Sequence, residues 1–430
     1  MKRRVVITGM GVVTPLGHSP AELFAASVKG ESAVGPISHF DATTFHTTFA
    51  SQVTNFDLAK WIAGAERFRN CGVNTHYALA AAKQALGEAG LLDANTGDRS
   101  RMGVYLGSGE GKEDFDILIS STAAATAEGS REANIGKAVG LLFRLLNGPQ
   151  DAEHEMYSPS GYLANEFALD GPFASCQTAC AASSQAVGEA LEMIRDGEAD
   201  VMLAGGSHSM ITPLGITGFN RLTALSQRND SPKTASRPFD LTRDGFVIGE
   251  GAGLLVLEEL ESAKARGANI IAELTGYGTT ADAFRMTDPH PEGRGAIRCM
   301  ADALADAGLH PTDIGYINAH GTSTQANDAA ETAGIKAVFK EHAYKLPISS
   351  SKSMLGHLIA AAGAVELVIT VLALRKGIVP PTINYQTPDP DCDLDYVPNR
   401  VREVRFKHAL SNSFGFGGQN ISLVVSEYGG

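Results

Sequence analysis

Long apolar runs are missing from this 430-residue chain. No stretch approaches the roughly 18 residues of a membrane span, so no passage through a bilayer is expected. Basic residues are in deficit, 35 Lys and Arg against 48 Asp and Glu, for a net charge of -13. A chain whose main task is gripping nucleic acid needs a basic face, and one that adsorbs to anionic membranes needs the same, so both classes are disfavoured. Cysteine is scarce: Cys71, Cys176, Cys180, Cys299 and Cys392 are odd in number and form no CxxC pair. Neither a disulfide framework nor a cysteine zinc site fits, and reduced thiols in a cytoplasmic protein are expected. Phosphate loops are incomplete. Gly9 and Gly11 lack the third glycine of GxGxxG, where Thr14 stands, and the tract before Gly111-Lys112 is one residue short of a P-loop, with Glu113 in place of its hydroxyl residue. Nucleotide binding is rejected. The 12 histidines are scattered without ligand spacing, and no metal site is expected.

What is present is an ordinary globular composition, 43% hydrophobic and 19% charged with 47 glycines, in a length that suits one or two large domains. The first residues imitate a secretory signal, basic and then apolar. The run is short, Gly9 and Gly11 interrupt it, and no small-residue cleavage site follows, so it reads as a first β-strand entering a glycine turn.

The chain repeats itself. Val5–Gly11 ends in Thr-Gly-x-Gly, and the same shape returns over Glu273–Gly278. QALGEAGL (Gln84–Leu91) is echoed by DALADAGL (Asp302–Leu309), each followed by an apolar strand starting at Met102 or Ile314. Cys180 opens one helical run and His357 another, the second apolar nearly all round except for Glu366. Four matched elements in one order predict duplication of a mixed α/β half, with buried sheets, helices on both faces, and the second-half helix at the centre. The expected halves are 1–260 and 261–430, with an insertion around 112–170 in the first.

Cys180 is the sharpest chemical candidate. It lies between an extended stretch and a helix, where the positive end of the helix dipole would favour the thiolate. Cys176, on the preceding strand, reads as inert. His320 follows a strand and His357 precedes the apolar helix. Two such imidazoles can donate hydrogen bonds to a developing oxyanion or move protons. Lys352 offers a positive charge five residues before His357. Glycines around Phe414 and Phe416 permit close backbone approach and movement of an aromatic plug.

Four motifs taken together, Thr178-Ala179-Cys180, His320-Gly321-Thr322-Ser323-Thr324, Lys352-Ser353-Met354-Leu355-Gly356-His357 and Asn412 through Gly418, closely resemble the β-ketoacyl-[acyl-carrier-protein] synthases, and most of all their class II elongating type. The resemblance continues through Ser236–Gly253 and Val379–Pro398 and spans nearly the whole chain. It implies the thiolase-like fold, an internally duplicated five-layer αβαβα sandwich. It further implies a decarboxylative Claisen condensation of a malonyl-[acyl-carrier protein] with an acyl group held as a thioester on Cys180.

Carried over position by position, the family's catalytic histidines match His320 and His357, its motif lysine matches Lys352 and its conserved acidic partner matches Glu331. Lys352 and Glu331 would orient the histidines. Phe416 matches the gating phenylalanine, and the backbone N–H groups of Cys180 and Phe416 would form an oxyanion hole. Thr322 and Thr324 match hydroxyls that hold the phosphopantetheine arm, with Phe414 also lining the substrate site. Glu110 stands where the end of the acyl tunnel is usually apolar and would disfavour a long saturated chain. His208 replaces a frequent acidic residue and reads as structural. Arg67 and Arg69 match a basic patch that docks an acidic carrier helix. No cofactor is implied, since the thioester supplies the activation. The implied partners are an acyl carrier protein and a second copy of the chain. The alternative is a specialised type II polyketide ketosynthase, working as a heterodimer with a chain-length partner.

Overall fold

The computed structural model describes residues 2–93, 95–109, 115–145 and 148–429. Strand β1 (Val5–Val13) leads into helix α1 (Val73–Glu88) and strand β2 (Met102–Ser108). Helices α2 (Phe115–Ala124) and α3 (Ile135–Leu145) follow, then β3 (Phe173–Cys176), α4 (Ala182–Arg195), β4 (Val201–His208), α5 (Pro213–Arg221) and β5 (Gly251–Glu259). The remainder comprises β6 (Ala272–Ala281), α6 (Arg294–Ala307), β7 (Tyr316–Asn318), α7 (Gln325–Phe339), β8 (Ile348–Ser349), α8 (Ala362–Lys376), β9 (His408–Phe414) and β10 (Gln419–Ser426).

These strands form one ten-stranded sheet in the order β8-β7-β9-β10-β6-β1-β5-β4-β2-β3. Its two halves have the same wiring. From the middle outwards, β1 pairs antiparallel with β5 and β5 with β4, and then β4–β2 and β2–β3 are parallel. On the other side β6–β10 and β10–β9 are antiparallel, and β9–β7 and β7–β8 are parallel. Within the sheet, among the described residues, the halves pair at only two positions, Val6 with Glu273 and Ile7 with Ala272. Beyond them the strands diverge, and the Met10 and Val12 backbone is satisfied instead by Glu88 and Gln84 of α1.

The divergence makes room for a central layer. Helices α4 and α8 pack on each other and touch strands of both halves, while α1 covers the outer face of one half and α6, backed by α7, that of the other. The result is the five-layer αβαβα sandwich. Helix α8 is buried along nearly its whole length, Glu366 included, as its all-round apolar sequence predicts.

Glycine permits the closest of these approaches. A Cβ on Gly11 would overlap the Ala81 carbonyl of α1 and crowd Gln84. Gly11→Ala is therefore expected to lower the unfolding free energy by about 1–3 kcal/mol, the usual cost of overpacking, seen as a reduced urea midpoint at unchanged slope.

No described helix is long and apolar enough to cross a membrane. Between β2 and β3 the chain adds α2, α3 and a helix at Ser158–Phe167. The pair α2 and α3 leaves Ile119, Ile135 and Phe143 exposed.

Candidate active site

Cys180 sits on a single tight turn, Ala179–Ala181, that runs directly into α4. Ala179 adopts a left-handed φ of 48°, which tips the cysteine out of the helix axis. Small residues are required here, because α4 begins against Gly107, where a Cβ would strike the Ala182 backbone. The second half repeats the elbow: Ile359 also has a φ of 48°, and the turn Ile359–Ala361 enters α8. Ala360 stands there in the place of Cys180, so only one copy of the repeat carries sulphur.

Burial pushes the Cys180 thiol up to about 11. The Phe416 backbone N–H, the charge of Lys352 and the cysteine's own N–H pull in the opposite direction without overcoming it. The thiolate expected from the helix terminus is thus not the resting form, because desolvation outweighs the N–H groups and the nearby cation that favour it. The two N–H groups that meet at the sulphur are those of the expected oxyanion hole.

The histidines come from the other half. His320 follows β7, and its N–H donates to Glu331 Oε1 at 2.9 Å while the Gly321 N–H donates to Glu331 Oε2 at 2.8 Å. Asn412 holds the same carboxylate at 3.1 Å. His357 is clamped by its backbone: its N–H donates to the Val247 carbonyl at 2.7 Å and its carbonyl accepts from Gly249 at 2.8 Å. Its Nδ1 accepts the Ile359 N–H at 3.2 Å, which puts the ring proton on Nε2, and Nε2 is buried with no partner. The two rings meet edge to face, 5.3 Å between centroids. Burial, then Lys352, hold both imidazoles well below their ordinary range, so both are neutral at neutral pH. A neutral imidazole can take a proton or, through its N–H, donate to an oxyanion.

Lys352 is itself buried and pairs with Glu366 Oε1 at 2.5 Å. Glu331, by contrast, binds the His320–Gly321 backbone. Glu366 is the acidic partner that the motifs missed. Its one visible signal is its place as the single acidic residue of an apolar helix.

Two cavities meet at the sulphur. One, of about 280 Å³, is lined by Cys180, His320, His357, Thr322, Thr324, Phe414 and Phe416, among others. The hydroxyls of Thr322 and Thr324 are 2.9 Å apart, and Thr324 also caps α7. The second, of about 740 Å³, is largely apolar, with Met210, Phe219, Ile359 and again Cys180 and Phe416 in its wall. Phe416 rides on a loop whose Gly417 and Gly418 have left-handed φ of 86° and 83°. In its observed position the loop's Gly417 N–H donates to the Met286 carbonyl at 2.6 Å, and Asn420 donates to Asp282 at 3.0 Å.

Four further sequence candidates remain. Arg67 pairs with Glu166 at 2.5 Å and stacks over Phe68, and Arg69 is exposed; neither lines these cavities. Glu110 lies outside the described residues. His208 is fully buried against Gly109, in keeping with a packing role.

A duplicated αβαβα sandwich that presents one elbow cysteine to two neutral histidines defines a condensing enzyme of the thiolase fold. Known relatives narrow the class. The family described as Beta-ketoacyl synthase, N-terminal domain, matches residues 2–263, and Beta-ketoacyl synthase, C-terminal domain, matches 271–386. The chain belongs to the β-ketoacyl synthase family. It is 45% identical to 3-oxoacyl-[acyl-carrier-protein] synthase 2 of Coxiella burnetii over 430 residues, 99% of each chain. The enzyme of the same name from Synechocystis is 43% identical over 427 residues, again 99% of each. Among solved structures, a β-ketoacyl synthase from Burkholderia phymatum superposes with a TM-score of 0.88 at 36% identity, covering 99% of this chain and 100% of that one. A type II polyketide ketosynthase, solved with its acyl-carrier protein and bound to the hexaketide, gives 0.87 at 37% identity, covering both chains fully.

Proposed function

We propose that this protein elongates acyl chains on acyl carrier protein by decarboxylative Claisen condensation, making a 3-oxoacyl thioester two carbons longer. The observation that carries the reading is the meeting of Cys180, two neutral imidazoles and two backbone N–H groups between a cavity of mixed lining and a largely apolar one. In the first step a neutral imidazole takes the proton of the Cys180 thiol. The sulphur attacks the donor thioester, the carrier's pantetheine thiol leaves with a proton, and the N–H groups of Cys180 and Phe416 hold the oxyanion. Malonyl-carrier protein then loses carbon dioxide, and His320 and the Nε2–H of His357 stabilise the enolate oxygen. The enolate carbon attacks the acyl-cysteine and Cys180 is released. Thr322 and Thr324 hold the pantetheine arm, and Phe414 and Phe416 shape the passage. No organic cofactor or metal enters these steps.

The chain divides into halves 1–260 and 261–430, supported by the end of β5 at Glu259 and the start of β6 at Ala272. The first half supplies the thiol and the second the histidines. A second copy pairs along β3, the open edge of the sheet where Phe173 is exposed. Arg69 is the better placed of the two docking arginines, since Arg67 is already paired. A cytoplasmic setting is supported by five cysteines that form no disulfide.

A second reading, a polyketide ketosynthase paired with a chain-length partner, draws on the structural neighbours solved with such factors. Incubation with a panel of acyl-carrier proteins, followed by intact-mass measurement, separates the two. Saturated medium and long adducts on Cys180 support elongation. Adducts from short, unsaturated or aromatic donors alone support the second reading, and none from any donor refutes the action of the isolated chain.

A further inference from the structure

We propose that Leu222 is the fixed side of the partition between the two cavities, with Phe416 the movable side, and that it thereby selects which acyl chains reach Cys180. The inference rests on the reading that acyl groups are carried on Cys180. Besides Cys180 and Phe416, Leu222 is the one residue common to both linings among the described residues. Its backbone is locked. Leu222 ends α5 with its N–H donating to the Gly218 carbonyl at 3.1 Å, and Thr223 follows in a left-handed φ of 53°. The Ala224 N–H returns to the Phe219 carbonyl at 3.1 Å, and the Ala224 carbonyl accepts from Phe246 at 2.9 Å. Phe416 sits next to two left-handed glycines, where no side chains restrain the backbone.

A plug that swings needs a wall to close against, and Leu222 presents an apolar one. Leu222 is 48% exposed, while α5 is anchored through Gly215 and Ile216, so the leucine is not what holds the helix in place. Its size is free to serve selection. A donor chain short enough to stay beside the sulphur is little affected by this wall. A long chain must thread past it into the apolar cavity.

Acylation of Cys180 by acetyl- and dodecanoyl-carrier protein, followed by intact mass, reads this directly. Leu222→Ala is expected to raise the dodecanoyl-to-acetyl rate ratio by about tenfold and Leu222→Trp to lower it by about tenfold, the scale on which apolar pockets discriminate chain size. Ratios within about twofold of the parent in both variants would overturn the role of Leu222 while leaving the acyl-enzyme intact. Failure of the parent protein to take either group would overturn the acyl-enzyme reading itself, and the role of Leu222 with it.

Discussion

Cys180→Ala is expected to leave a folded protein that takes no acyl group from any donor and condenses at a rate lower by about 10⁴-fold or more, the scale on which loss of a covalent nucleophile is felt. The fold should survive because alanine already occupies the equivalent elbow at Ala360, with the same backbone turn before it. Intact mass and turnover test the chemistry, and the thermal midpoint tests the fold. The parent protein carries a companion expectation. Because burial pushes the thiol up to about 11, it is protonated at neutrality. Alkylation by iodoacetamide should therefore accelerate about tenfold per pH unit from neutral to mildly alkaline conditions, following the thiolate fraction. A residual acyl adduct in the alanine variant would assign the nucleophile elsewhere. A flat alkylation profile would mean that a thiolate already exists in the resting site.

The repeat was legible because it is written twice in similar words. Thr-Gly-x-Gly marks β1 and β6, and the paired helix endings mark α1 and α6, so duplication and layering follow from patterns local to each segment. The meeting of Cys180, His320, Lys352 and His357 was legible for a different reason: each lies at a junction between an element and a loop, and the fold gathers those junctions at one end of its central layer. What a segment cannot express is its surroundings. The helix terminus behind Cys180 is visible in sequence, but the burial that reverses its effect on the thiol comes from distant residues. Likewise Glu331 and Glu366 are both acidic residues near motif histidines. Only the packing of α8 against the Lys352 turn decides which of them meets the lysine. Arg67 reads as a free surface cation until Glu166, nearly a hundred residues later, returns to pair with it. Leu222 carries no motif at all, and its interest arises solely from where two cavities touch.

The Lys352–Glu366 pair has the second large expected effect. Lys352→Met leaves the Glu366 carboxylate in the core without its cation, with Oε2 already lacking a partner. Breaking a buried pair in this way costs about 3–5 kcal/mol of stability, so the urea midpoint should fall sharply. The same change acts on catalysis through charge. After burial, the positive charge of Lys352 is the next cause that holds both imidazoles below their ordinary range. Removing a cation makes the imidazolium less unfavourable, so both pKa values rise and the neutral base is lost at a higher pH. The acid limb of the acylation rate should therefore move to higher pH in the variant. The double change Lys352→Met with Glu366→Leu separates the two effects. An apolar pair of similar volume removes the stranded carboxylate and should restore most of the stability. It does not return the cation, so the acid limb should stay displaced. A single variant as stable as the parent would show that the pair contributes little to folding. An acid limb unmoved in both variants would show that burial alone keeps the histidines neutral, and that Lys352 serves the carboxylate rather than the imidazoles.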